Sequence, residues 1–273
     1  MNNSELKQLQ EIELNILQKV VDYCQKNKIK YSLYAGTALG AVRHSGFIPW
    51  DDDVDIAMER KEFNRFCRLW EKQPVRGYTL SCLQYDKDCA TCHAKVHKDG
   101  TILLSDGEVE EVGNHGIWVD IFPLDRVGDR NNQKKVFRKA KELIILSRAN
   151  TKLFNDSFSK KLVRGLIRSI PQKYRRRRIL TLLRWLATND ELLKNEDYSY
   201  VSLSATYAFK YRFSNSLTKK TVQIRFQDVE FDIWEDYDHM LTEIYGDYMQ
   251  LPPESERVCK HNPVKISFGD GIE

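Results

Sequence analysis

Residues 49–58 read PWDDDVDIAM, with four aspartates in five positions behind a proline and a tryptophan and ahead of a strand-like run. Adjacent carboxylates repel one another unless cationic groups or a metal ion sit among them. The stretch is therefore either a solvated acidic turn or a place where a cation is held. Side chains alternate along a strand, so Asp53 and Asp55 project together while Val54 turns into the core. Two carboxylates on one face suit a hard, oxygen-seeking ion such as Mg²⁺ (or Mn²⁺), which leaves coordination positions for phosphate oxygens.

A third carboxylate from a neighbouring strand would complete such a site, and HGIWVDIF (115–122) supplies one. Asp120 lies between Val119 and Ile121, where a lone charge is costly unless paired or bound to metal. Upstream, Ala35-Gly36-Thr37 joins a strand to a short helix. A small turn there lets backbone N–H groups and the threonine hydroxyl approach a phosphate. Gly36-Thr37, Asp53-x-Asp55 and Asp120 together have the layout of a nucleotidyltransferase fold, and their conjunction argues against the solvated turn. Arg43, Lys95 and Lys98 are candidates to meet phosphate oxygens, with Lys95 and His97 sharing one strand face.

The chain's 273 residues are enough for one large domain, and 41% apolar and 30% charged residues mark a folded globular protein. The N-terminus has no signal-peptide pattern, and no apolar run approaches the roughly 20 residues of a membrane span. A cytoplasmic protein with reduced thiols is expected. Cys82, Cys89, Cys92 and His93 offer zinc-ligand chemistry, but Cys92 and His93 are adjacent and point apart in a strand. Ordinary thiols are the preferred reading over a structural Zn site.

Periodicity predicts helices over 4–27, with Ser4 as N-cap, and over 37–44, 61–70, 131–150, 157–170, 174–187 and 236–246. Strands are predicted at 29–36, 54–58, 79–84, 94–97, 101–104, 115–122 (closed by Pro123) and 229–234, before an irregular tail. This is an α/β (α+β) chain: a mixed-sheet core over 1–130, a basic helical section over 131–190, and a C-terminal segment, 191–273, returning to the core.

Between Lys134 and Arg184 stand 17 Lys and Arg against Glu142 and Asp156, in a chain of net charge only +4, so the remainder is acidic. The central QKYRRRRILTLLRW reads as a solvated helical face, a nucleic-acid site or a patch resting on an anionic membrane. No stacking aromatics interleave the arginines, so no nucleic acid is expected.

YAGTALGAVRHSGFIPWDDDVDIAM resembles the N-terminal signature of the LicD family of phosphocholine transferases, to which fukutin-related proteins are more distantly similar. GIWVDIFPLD (116–125) and IYGDYMQLPPESER (244–257) resemble further stretches of that family, so the likeness spans most of the chain. It implies metal-dependent transfer of a phospho-substituent from a CDP-activated donor to a sugar hydroxyl, releasing CMP. The implied acceptor is a lipid-linked or other cell-surface glycan precursor (teichoic acid, lipopolysaccharide or capsule repeat), which would bring the protein to the inner face of a membrane. Asp53 and Asp55 match the metal-binding pair, and Asp120 the third carboxylate, ligand or general base. Asp51 matches a further acidic position, and Gly36 and Thr37 the phosphate-side turn.

Phosphocholine from CDP-choline is the leading donor group; CDP-glycerol and CDP-ribitol compete. A trimethylammonium head favours an aromatic cage, and among 13 tyrosines and 5 tryptophans the sequence selects none. A glycosyltransferase holding a sugar nucleotide through its DxD is the alternative class, although its DxD ordinarily follows a longer nucleotide-binding half. A non-catalytic binding module is the third.

Overall fold

A computed structural model describes residues 1–105, 113–150, 165–261 and 263–269. The first helix, α1 (Asn3–Lys26), is capped by Asn2, two residues earlier than expected. The Asn2 side chain accepts from the N–H groups of Ser4 and Glu5, and the Glu5 carboxylate bonds back to the Asn2 N–H. This reciprocal capping box satisfies orphan donors at both ends of the turn, which Ser4 could not do. Leu9, Ile12, Ile16, Leu17 and Val20 form its fully buried stripe.

Strand β1 is only Ser32–Leu33, followed by α2 (Ala35–His44), β2 (Asp55–Glu59) and α3 (Arg60–Lys72). Next come β3 (Tyr78–Ser81), β4 (Ala94–Lys98), β5 (Ile102–Ser105) and β6 (Trp118–Val127). The sheet order is β1-β2-β6-β4-β3, with β2 and β6 parallel and the other pairs antiparallel. The architecture is thus an α+β fold around a mixed sheet. On α3, Phe63, Phe66 and Trp70 are buried against the sheet, each contributing about 1.5–3 kcal/mol by leaving water.

Strand β6 does not stop at Pro123 as expected; it runs on to Val127. Asp120 donates its N–H to Val54 of the β2 side, so by alternation residue 123 turns toward the other neighbour. On that side β4 pairs only as far as Ile121, and β7 (Ser199–Ser202) takes over at Leu124. Pro123 falls in the gap between them, where its missing N–H leaves no bond unmade.

The basic helices are α4 (Arg130–Ser147) and α5 (Gln172–Leu192); residues 165–169 are helical, and the remainder of the helix expected over 157–170 lies outside the described residues. Together they bury Val136, Leu143, Leu182 and Leu186 in a second apolar cluster, shared with Leu83, Cys89 and Cys92 of the body. Several of the arginines are structurally engaged. Arg176 donates to the carbonyls of Leu83 and Gln84, Arg175 to that of Ile170, and Arg178 pairs with Glu142.

A hairpin, β8 (Thr221–Phe226) and β9 (Val229–Trp234), precedes α6 (Tyr237–Tyr245), which ends at Gly246 with φ 71°. Past the stretch expected to be irregular, 251–263, whose described residues hold no strand before Pro263, β10 (Pro263–Ser267) pairs with β5.

Candidate active site

The acidic run lies at the entry to β2, and alternation sorts its members. Asp55 stands in register with Asp120 on parallel β6, and Asp120 with Lys95 on antiparallel β4. The three side chains therefore form one row across three adjacent strands. Helix α2 begins at Ala35, two residues before the expected start at Thr37, so Thr37 sits in its first turn, and its hydroxyl oxygen accepts the Asp55 N–H at 2.8 Å. Gly36 underlies the Asp51 carboxylate, and a Cβ there would come within 2.9 Å of Oδ2. Gly36 is thus the residue that lets Asp51 lie against the start of α2. Ala35 enters this turn with φ 44°, a left-handed conformation strained for a non-glycine residue.

Asp51, Asp52 and Asp53 bring a carboxylate oxygen each to within 4.8 Å of one another. Asp52 is otherwise engaged, since it accepts from the N–H groups of Lys260 (3.2 Å) and His261 (3.1 Å) and contacts His261 Nδ1 at 3.2 Å. The carboxylates of Asp51, Asp53 and Asp55 have no hydrogen-bonding partner among the described residues, while Gln10 of α1 fixes the Asp51 carbonyl at 2.9 Å.

Electrostatics follows from this crowding. Burial, and then Asp53, push Asp51 up to about 8. Burial raises Asp53 as well, His261 opposing and Asp120 adding to it. Burial, Asp53 and Asp120 raise Asp55 well above the usual carboxylate range. A fifth acid joins them that the sequence reading passed over: Glu13, on the apolar face of α1, is 1% exposed. Its Oε2 has no partner, and burial followed by the charges of Asp53, Asp52 and Asp51 raise it strongly. A glutamate among Leu9, Ile12, Ile16 and Leu17 was the available signal. The set fits a divalent cation: the donors are hard oxygens, crowded beyond what water or neighbouring cations neutralise. Asp51 and Asp53, the members of the close group without hydrogen-bonding partners, are the residues that could hold one, and Asp55 lies outside that group.

Asp120 differs. Its Oδ1 lies 2.9 Å from Lys95 Nζ and 3.1 Å from His93 Nε2; its Oδ2 lies 3.2 Å from Lys95 and 3.0 Å from Trp118 Nε1. Oδ2 accepts hydrogen bonds from Lys95 and Trp118, whereas the contacts at Oδ1 are ion pairs without hydrogen-bond geometry. Burial opposes its charge, but Lys95 and His93 outweigh burial and hold it below the usual range. Lys95 also lies 3.9 Å from the Trp118 ring centroid. His93 and Trp118 are thus site residues that the sequence reading did not place there.

The remaining expected residues are elsewhere. Arg43 donates to the carbonyls of Tyr248 (2.7 Å) and Gln250 (3.3 Å), bracing the segment after α6. Lys98 ends β4 opposite Tyr78, on the face away from Lys95. Of the zinc-type cluster, Cys82 meets Cys67, Cys92 meets Ser147, and His93 turns to Asp120. Asp125, in the stretch that follows Asp120, makes a bidentate pair with Arg60 at 2.7 Å, buried beneath the site.

The family model described as LicD/FKTN/FKRP, nucleotidyltransferase domain, matches residues 28–158, a span that contains this entire row of carboxylates. Over 96% of the chain, and 97% of the relative, the sequence is 30% identical to the lipopolysaccharide cholinephosphotransferase LicD of Haemophilus influenzae. The chain belongs to the LicD family. Like that relative, it is an enzyme. Shorter similarities, 45% over 56 residues and 44% over 55, reach uncharacterized proteins of Rickettsia prowazekii and Rickettsia typhi, each covering 20% of this chain. No helix among the described residues of this LicD-family chain is long and apolar enough to cross a membrane.

Proposed function

We propose that this enzyme transfers phosphocholine from CDP-choline to a sugar hydroxyl of a lipopolysaccharide or similar cell-surface glycan, in a divalent-cation-dependent reaction. The observation that carries the reading is the set of carboxylates without hydrogen-bonding partners, Asp51, Asp53 and Asp55, beside the Asp120–Lys95 ion pair. The full-length similarity to a lipopolysaccharide cholinephosphotransferase supports the choice of donor and acceptor.

In the transfer, the acceptor oxygen forms a bond to the phosphorus that carries choline. The bond from that phosphorus to the bridging oxygen breaks, and CMP departs with the electron pair. Asp51 and Asp53, with Asp55 nearby, would hold a divalent cation, which would supply charge neutralisation for the diphosphate. Lys95 is the one cationic head in the row, and we assign it to a phosphate oxygen when the donor binds. Moving there releases lone pairs on Asp120, which then faces the acceptor hydroxyl or the cation. While Lys95 and His93 pair with it, their positive charge opposes transfer of the acceptor proton to Asp120. Trp118 and His93 keep the carboxylate oriented throughout.

The test is CMP release from CDP-choline by the purified protein with Mn²⁺ and a de-phosphocholinated lipopolysaccharide acceptor, beside Asp53→Asn and Lys95→Met. Expected is turnover in wild type that chelator abolishes, with both variants reduced at least 100-fold. Turnover with CDP-glycerol or CDP-ribitol but none with CDP-choline would replace the donor; turnover with a sugar nucleotide would replace the reaction class.

A further inference from the structure

Helices α4 and α5 lie side by side and antiparallel: Arg178 donates to Glu142 at 2.8 Å, and Lys139 lies 4.8 Å from the Trp185 ring centroid. Their inner sides bury Val136, Leu143, Ile179 and Leu186. The helix period then fixes what their outer sides carry. On α4, Lys134, Arg138, Lys141 and Ile145 recur at intervals of four, three and four, and all are exposed. On α5, Lys173, Tyr174, Arg177 and Arg184 occupy one exposed arc in the same way. Two packed helices about 8–10 Å apart make of these stripes one broad face.

The charge on that face has one sign. Among the described residues from Arg130 to Asn189, Glu142 is the one acid, and Arg178 holds it. None of Lys134, Arg138, Lys141, Arg177 and Arg184 is ion-paired among the described residues. A solvated helix face of this same molecule differs: exposed Lys7, Lys19 and Lys26 of α1 are interspersed with exposed Glu11 and Asp22. On α4, like charges three and four residues apart repel one another. On α5, Lys173 stands in the first turn, where the helix dipole disfavours a cation and no acid offsets it. Such repulsion on an open face is relieved by an anionic partner.

The class of partner is set by what borders the cations. Leu146 and Ser147 share a small cavity with Gln172 and Arg175, so the end of α4 meets the start of α5. Ile145 and Tyr174, 48% and 55% exposed, therefore stand at the same end of the face, and Ile170, 42% exposed, lies just before α5. Apolar side chains beside a basic face suit the boundary between lipid headgroups and acyl chains. A nucleic-acid site calls instead for open aromatic rings among the cations. Here the rings of Tyr174 and Trp185 are covered by Lys173 and Lys139.

We propose that the outer faces of α4 and α5 dock this protein on an anionic lipid bilayer, with the lysines and arginines at the headgroups and Ile145, Ile170 and Tyr174 at the acyl boundary. The proposal does not depend on which donor the carboxylate site takes.

Vesicle co-sedimentation of the full chain tests it, with phosphatidylcholine vesicles beside vesicles containing a quarter phosphatidylglycerol. Wild type is expected on the anionic vesicles and not on the neutral ones, and raising the salt weakens its binding. A cation near an anionic surface is worth about fivefold in binding, so Arg138→Gln/Lys141→Gln/Arg184→Gln loses on the order of 100-fold. The control Lys7→Gln/Lys19→Gln/Lys26→Gln removes the same charge from α1 and loses less than about fivefold. Ile145→Ser/Ile170→Ser also weakens binding, because less apolar area enters the boundary. Unchanged thermal melts show that the three variants are folded. Equal losses for the patch and control variants overturn the proposal, since net charge and not this face would then be read. So does wild type that ignores anionic vesicles, or an isoleucine variant that binds as tightly as wild type. Tighter binding to a single-stranded oligonucleotide, lost in the same patch variant, would overturn it in favour of nucleic acid.

Discussion

Asp52 and His261, 209 positions apart, are joined at 3.2 Å, and the same carboxylate accepts the backbone N–H groups of Lys260 and His261. The one member of the acidic run that turns away from the cleft therefore ties the C-terminal segment to the start of β2. Its 1% exposure makes these bonds costly to lose. Replacing Asp52 with Ala leaves two amides and a ring nitrogen without their acceptor, at about 1–3 kcal/mol. The expected signature is faster hydrogen exchange over residues 259–267, with α1 unchanged. An unaltered exchange pattern would mean that β10 is held by its pairing with β5 alone.

Arg60 and Asp125 form the buried ion pair below the site, with side chains 4% and 3% exposed. Removing one partner strands the other charge in the core. Asp125→Ala should cost about 3–5 kcal/mol, whereas the double replacement Arg60→Met/Asp125→Leu should recover most of it. Arg178→Ala serves as the control: its pair with Glu142 has side chains 47% and 37% exposed and should contribute less than about 1 kcal/mol. Urea titrations of the four proteins read these differences directly. Equal losses for Asp125→Ala and Arg178→Ala would contradict the argument.

What the sequence made legible was the chemistry that repeats in a local pattern. The Asp53-x-Asp55 alternation, and Asp120 isolated between Val119 and Ile121, located the row of carboxylates because a strand's period is short and its violations are visible. Contacts that depend on which strands become neighbours were not legible. In the sequence His93 offers itself only as a member of the disfavoured zinc cluster, and the β4–β6 pairing is what brings it to Asp120. Arg43 was assigned to phosphate from its charge; its partners are carbonyls more than 200 positions away. Strand β9 was legible over 229–234, but its partner β8 was not, because the hairpin turn, Gln227-Asp228, lacks glycine even though Gln227 takes φ 55°. Glu13 was hidden for another reason: the apolar stripe around it satisfied the helix pattern, so its one exception drew no attention.

That exception supports a prediction of its own. Glu13 is buried, its Oε2 is unpaired, and the nearest charges are carboxylates. Without a cation its ionised form is repelled from every side. Glu13→Gln removes the charge while keeping the shape, so the variant should melt about 2–5 °C higher than wild type in chelator. The gain wild type shows on adding Mn²⁺ should be smaller in the variant, since there is less repulsion to relieve. A thermal melt with and without Mn²⁺ tests both parts. A variant that melts lower in chelator would show that Glu13 has a donor the hydrogen-bond pattern lacks.

His97 gives the fold a pH dependence of definite sign. Its Nδ1 lies 2.8 Å from the Gly116 carbonyl, which fixes the proton there, and its Nε2 is buried with no partner. Burial lowers its pKa to about 4. In the unfolded chain a histidine titrates near 6.5. Above that value both states are neutral and the stability is fully present. As pH falls from about 6.5 toward 4 the unfolded state takes up a proton the folded state refuses, and stability is lost. The 2.5-unit difference sets the loss at roughly 3 kcal/mol by the bottom of the window. His97→Asn retains a donor toward Gly116 but has no proton to take up, so its stability should stay flatter across that range. Chemical denaturation of both proteins at pH 7.5, 6, 5 and 4 measures the divergence; parallel curves would place the acid sensitivity in other groups.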